Sequence, residues 1–118
     1  MSYDIYLKDP VTKETITFDA PHQIRGGTFA AGGTPEAWVN ITYNYSKHFS
    51  KVLGKEGIRS IYGMTGAESM HIIKSSAAKL KDDVSDDYWE PTEGNAKRAL
   101  LQLVALAQMR PDGIWDGD

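Results

Sequence analysis

The stretch Asn95–Met109, NAKRALLQLVALAQM, decides the fold. Ala96, Ala99, Leu100, Leu101, Leu103, Val104, Leu106 and Ala107 leave only a thin polar seam of Asn95, Arg98 and Gln102. A helix apolar nearly all round belongs inside a domain, covered on several sides. It is too short, and flanked by too many polar residues, to span a bilayer. It reads as a central core helix, and it stops near Arg110-Pro111, because a residue before proline avoids α geometry. Beyond it the tail DGIWDGD carries an isolated Trp115.

Upstream of the core helix, residues 82–93 read DDVSDDYWEPTE, a loop with six acids, no base, and Tyr88-Trp89 inside it. Before that loop, Thr65-Gly66-Ala67-Glu68 is a capping box, with Thr bonding forward and Glu bonding back. It opens a helix whose buried stripe is Met70, Ile73, Ala77 and Leu80, while Ser75, Ser76, Lys79 and Lys81 are solvated. Ile58–Gly63 is a short connector. Further back, Ile41, Tyr45, Phe49 and Val52 step by four, four and three, which is one face of another helix. Asn40 or Thr42 caps its start, and Gly54 suits the left-handed position after its end.

The N-terminal third carries the strands. Tyr3-Asp4-Ile5-Tyr6-Leu7 alternates, and Thr15–Phe18 alternates again after the turn-rich DPVTKE, which predicts a β-hairpin. Gly26–Gly33, GGTFAAGG, reads either as a short strand between tight turns or as a loop wrapped closely around a ligand. Glu36–Asn40 reads as a further strand. Three or four short strands followed by three helices give a single α+β domain over residues 1–118, with the helices packed on one face of an antiparallel sheet.

Composition narrows the function classes. Hydrophobic residues make up 41% and charged residues 25%, ordinary values for a globular domain. No cysteine is present, which excludes disulfides and thiolate metal sites. The start, MSYDIYLKDP, has no basic run followed by an apolar block, so it is not read as a signal peptide, and a cytoplasmic location is expected. The net charge of −3 is unevenly spread: residues 1–81 carry +3 and residues 82–118 carry −6. That asymmetry concerns fields and partners rather than fold.

Catalytic and metal patterns are poor. His22, His48 and His71 lie in separate elements without H-E-x-x-H spacing, no G-x-S-x-G elbow is present, and no phosphate-cradling P-loop follows the glycines. His71 reads as solvated, and His48, beside Phe49, as a half-buried histidine with its bonds satisfied. The acidic loop fails as a calcium loop: counted from Asp82 its third position is Val84 and its glycine position is Asp87, and counted from Asp83 its twelfth position is Gly94. A non-enzyme without cofactor or metal is expected.

Two candidate surfaces stand out. The first is a small-ligand site built from Arg25, Gly26, Gly27, Thr28, Asn40, Thr42, Tyr43 and Asn44, near Trp38 and Tyr45. Aromatic faces, amides and an arginine beside a helix start suit a small anionic, nucleotide-type ligand. The same residues also serve as core and caps. The second is a partner surface of Asp82, Asp83, Asp86, Asp87, Tyr88, Trp89 and Glu90, fit for a host protein with a basic face. Alternatively, that loop is a solvated turn whose Trp89 folds onto the core helix. Neither reading involves direct nucleic-acid or membrane binding.

The segments RGGTFAAGG, NITYNYSKHF, GIRSIYGMTGAES, YWEPTEGNA and MRPDGIWDGD resemble those of small uncharacterised proteins encoded by phages and prophages of Gram-positive bacteria. The resemblance runs over almost the entire chain and carries no activity, so it assigns no catalytic residue. It implies a cytoplasmic viral accessory role, such as blocking a host defence protein or trapping its nucleotide signal.

Overall fold

A computed structural model describes residues 1–22 and 33–118. Over these residues the fold is α+β, with a three-stranded antiparallel sheet, a separate two-stranded sheet and three α-helices. β1 (Ser2–Lys8) is the central strand, and its alternation is that of a half-buried strand: Tyr3, Ile5 and Leu7 point into the core while Asp4 is exposed. It pairs with β4 (Trp38–Thr42) through Tyr3 against Ile41, and with β5 (Ile114–Gly117) through Leu7 against Trp115.

This pairing corrects the expected hairpin. The turn after β1 does close locally, with Val11 and Thr12 N–H groups donating to Asp9 Oδ1 at 2.8 and 3.0 Å. Past the single bridge of Lys8 and Thr15, however, the chain leaves β1. β2 (Thr17–His22) pairs with β3 (Thr34–Glu36) in the second sheet instead. The expected strand at 36–40 is thus two strands bent at Ala37, whose N–H donates to Ile16 O while its carbonyl accepts from Leu7 N–H. The glycine-bounded stretch falls largely outside the described residues. Among those described, Gly33 has φ of 82°, which glycine adopts without strain.

Ile41 belongs to β4 rather than to a helix, correcting the periodic reading there. Thr42 caps a short 3-10 turn, Tyr43–Tyr45, by accepting from Asn44 N–H at 3.1 Å. α1 (Ser46–Leu53) follows and stops at Gly54, with φ of 92°. α2 (Gly66–Ala77) begins with the capping box as expected: Thr65 Oγ1 accepts from Glu68 N–H at 3.1 Å, and Glu68 Oε1 accepts from Thr65 N–H at 3.0 Å. Its buried side is more polar than its periodicity suggests. Ser69 and Ser76 are buried because each hydroxyl has a fixed partner, Ser69 on Trp115 Nε1–H and Ser76 on Val52 O.

α3 (Glu93–Met109) is the core helix, burying Ala96, Ala99, Leu100, Leu103, Val104, Leu106 and Ala107. Two of its residues reverse expectation: Leu101 is 45% exposed and Asn95 only 1%. The tail is no free end either, since Trp115 on β5 is completely buried in the core. Among the described residues no helix is long and apolar enough to cross a membrane.

Candidate functional site

The structure joins the two surfaces that the sequence kept apart. The acidic loop, residues 82–92, lies against the strand-to-helix junction and over the first turn of α3. Tyr88 is the post of this contact. Its Oη accepts from Thr42 N–H at 2.9 Å, its carbonyl accepts from the Tyr45 hydroxyl, and its ring meets the Tyr45 ring edge-on at 5.6 Å. Asn44 Nδ2 donates to Trp89 O at 2.8 Å. One turn along α1, His48 Nε2 lies 2.7 Å from Pro91 O, and because a carbonyl only accepts, that nitrogen carries the proton. His48 is half-buried with this bond satisfied, as expected, and His71 is exposed.

From below, Asn95 holds the loop. Its Oδ1 accepts from Ser85 N–H at 3.0 Å, and its Nδ2 donates to Asp87 O at 3.0 Å and Glu90 O at 2.9 Å. A buried amide with both ends saturated costs nothing in unmade bonds and orders the backbone it touches. Gly94 gives the loop room: a Cβ there would overlap the backbone of Asp83 and Val84, and the Gly94 N–H donates to Asp83 Oδ1 at 2.9 Å. Neither Asn95 nor Gly94 was foreseen as part of a site. The only signal was a lone polar residue and a glycine at the head of an apolar helix.

The acids of the loop have different environments. Asp82 pairs with Lys97 at 2.7 Å, Asp87 Oδ1 accepts from Trp89 N–H at 3.0 Å, and Glu90 Oε2 accepts from Ser85 Oγ–H at 2.5 Å. Asp86 is exposed and has no partner among the described residues. Glu93 is held below the usual carboxylate range, chiefly by the Lys81 backbone N–H and then by the Lys51 ammonium. Burial raises both phenols of the contact, with Tyr45 pushed up to about 12, so both stay protonated near neutral pH. Trp89 itself is 51% exposed, its ring edge-on to Tyr88 at 5.0 Å. It does not fold onto the core helix.

The residues of the proposed small-ligand site separate. Arg25, Gly26, Gly27 and Thr28 lie outside the described residues. Asn40 directs its amide to Ser2 Oγ at 2.7 Å and Asp4 Oδ1 at 2.9 Å. Thr42 and Asn44 serve the cap and the loop as above. Tyr43 has an arginine beside it that the sequence reading did not consider: Arg59 Nη2 donates to Tyr43 Oη at 3.4 Å, and its guanidinium lies 4.9 Å from the Tyr3 ring centroid. Among the described residues no group of three or more His, Asp or Glu is placed to hold a metal ion. Comparisons with protein-family models, with curated proteins and with solved structures find no match to this chain.

Proposed function

We propose that this chain is a non-enzymatic accessory protein that binds a host protein through the acidic loop, with Trp89 as its apolar anchor. The reading rests on one observation. The indole of Trp89 is half in water, although its own backbone is bonded on both sides, to Asp87 and to Asn44. An aromatic anchor on a held backbone loses little conformational freedom on binding, and such side chains dominate interface energies when they enter a pocket. Asp86, Asp87 and Glu90 around it favour a partner with a basic surface, by steering the encounter. In keeping with the resemblance to phage-encoded proteins, the partner class is a host component such as a defence protein, met in the cytoplasm. A nucleotide-type ligand has less support, because Asn40, Thr42 and Asn44 aim their polar atoms at neighbours within the chain.

The test is retention of host proteins by immobilised wild type and Trp89→Ala, in host-cell extract at low and raised salt. The expected result is one host protein held by wild type, released as salt rises, and lost from a variant of equal thermal midpoint. Identical retention by both chains would refute the role of the loop.

A further inference from the structure

We infer that Arg59, the Tyr62 hydroxyl and the Asp4 N–H form a binding site for a carboxylate ligand, which the chain's own Gly117–Asp118 segment covers and the ligand displaces. The guanidinium of Arg59 is held flat against aromatic rings, 4.9 Å from the Tyr3 centroid and 5.8 Å from that of Tyr43. Its Nε–H donates to the Asp118 main-chain oxygen at 2.8 Å, and Nη2 reaches Tyr43 Oη only at 3.4 Å. That leaves three of the five guanidinium N–H groups without a partner among the described residues, on an exposed side chain. Asp118 brings a second oxygen to the same place, since its Oδ1 accepts from Asp4 N–H at 3.0 Å.

The unusual group here is Tyr62. Among the described residues its Oη is the one buried side-chain polar atom with no hydrogen-bond partner. Burial pushes the phenol above its ordinary value, and the nearby Asp118 charge adds to the rise. The oxygen therefore keeps its proton and is a donor without an acceptor, a costly and rare state inside a protein. Gly117 covers it: a Cβ there would lie 2.5 Å from both Tyr62 Oη and Asp4 O, so glycine alone allows the approach. This cover is loosely held. Gly117 N–H turns back onto Asp116 Oδ1 at 2.8 Å, and Asp118 N–H reaches Asp4 O only at 3.4 Å. Lifting the segment frees three neighbouring donors, and a ligand oxygen then satisfies the hydroxyl that Asp118 leaves unpaired. A carboxylate suits the site because it replaces one negative charge with another and matches the arginine fork. A doubly charged phosphate would add charge beside Asp4 and Asp116.

Acetate titrated into the isotope-labelled chain, against sodium chloride at equal ionic strength, tests this by nuclear magnetic resonance. Acetate should shift the Asp4 amide and Arg59 Nε–H signals saturably, and chloride should not. Gly117→Ala, which drives the segment off Tyr62, should bind acetate about tenfold more tightly than wild type, because the closed segment no longer competes. Asp118→Ala should act in the same direction, and it carries the test should Gly117→Ala fail to fold. Adding Tyr62→Phe to either variant should weaken acetate binding severalfold. Tyr62→Phe alone should leave the thermal midpoint undiminished, a split that a structural hydroxyl would not give. N-acetyl-glycyl-aspartate amide held more tightly than acetate assigns the site to an acidic peptide, and equal binding assigns it to a free acid. Matching responses to acetate and chloride in every chain overturn the inference. So does phosphate bound more tightly than acetate, or acetate binding that survives Arg59→Ala.

Discussion

Asn95→Ala is the most revealing single change, because it removes one buried amide and nothing else from the core. Three hydrogen bonds are lost together: Ser85 N–H loses its acceptor, and the Asp87 and Glu90 carbonyls lose their side-chain donor but keep the backbone N–H groups of Glu90 and Thr92. At about 0.5–1.5 kcal/mol for each typical bond, the total is roughly 2–4 kcal/mol, toward the lower end because both carbonyls keep a backbone donor. For a chain of this size that lowers the thermal midpoint by about 8–16 °C. The assay is urea unfolding followed by circular dichroism, with amide exchange read at residues 85–90. Asn95→Asp sharpens it: the shape is kept, but a carboxylate then faces two carbonyl oxygens inside the protein. The introduced carboxyl is driven toward its protonated form, so its folded pKa lies above the unfolded value. The penalty is therefore fully present above the folded pKa and shrinks as pH falls through it. A midpoint for Asn95→Ala within about 0.5 kcal/mol of wild type, the range of ordinary surface changes, would refute the clamp.

Other expectations follow from the same contacts. Leu103→Ala removes a wholly buried side chain and should cost roughly 2–5 kcal/mol by urea unfolding; an unchanged midpoint would show that α3 is not the core. Thr65→Ala opens the capping box and should cost about 1 kcal/mol, measured in the same way. Trp89→Ala should leave stability within about 0.5 kcal/mol, as its ring is half exposed; a large loss in a thermal melt would assign the indole to the fold and withdraw it as an anchor. Alkaline pH should destabilise the domain through Tyr45. Its folded value of about 12 lies above the ordinary 10.0, so its contribution is complete below pH 10 and fades as pH rises through 12. Unfolding midpoints that stay level across that window would count against a buried phenol.

The sequence alone determined what depends on neighbours a few residues apart. The capping box at Thr65, the stop at Gly54, the alternation of Tyr3 to Leu7 and the apolar run of α3 each follow from local geometry, and each is present. The α+β class followed from the order of those patterns. Pairing between distant segments was not legible, because alternation says that a strand has an inner face and not which strand lies beside it. So β1 was given β2 as its partner and instead lies between β4 and β5. Periodicity likewise treats polar residues as outward and apolar ones as inward. Asn95 departs from that because the loop supplies three partners that make its burial favourable, and Leu101 because no described segment covers its side of the helix. The meeting of Thr42, Asn44 and Tyr45 with Tyr88 and Trp89 spans more than forty residues of chain, and only the folded structure decides it. It turns an acidic stretch that reads as a solvated loop into a held surface with one indole facing outward.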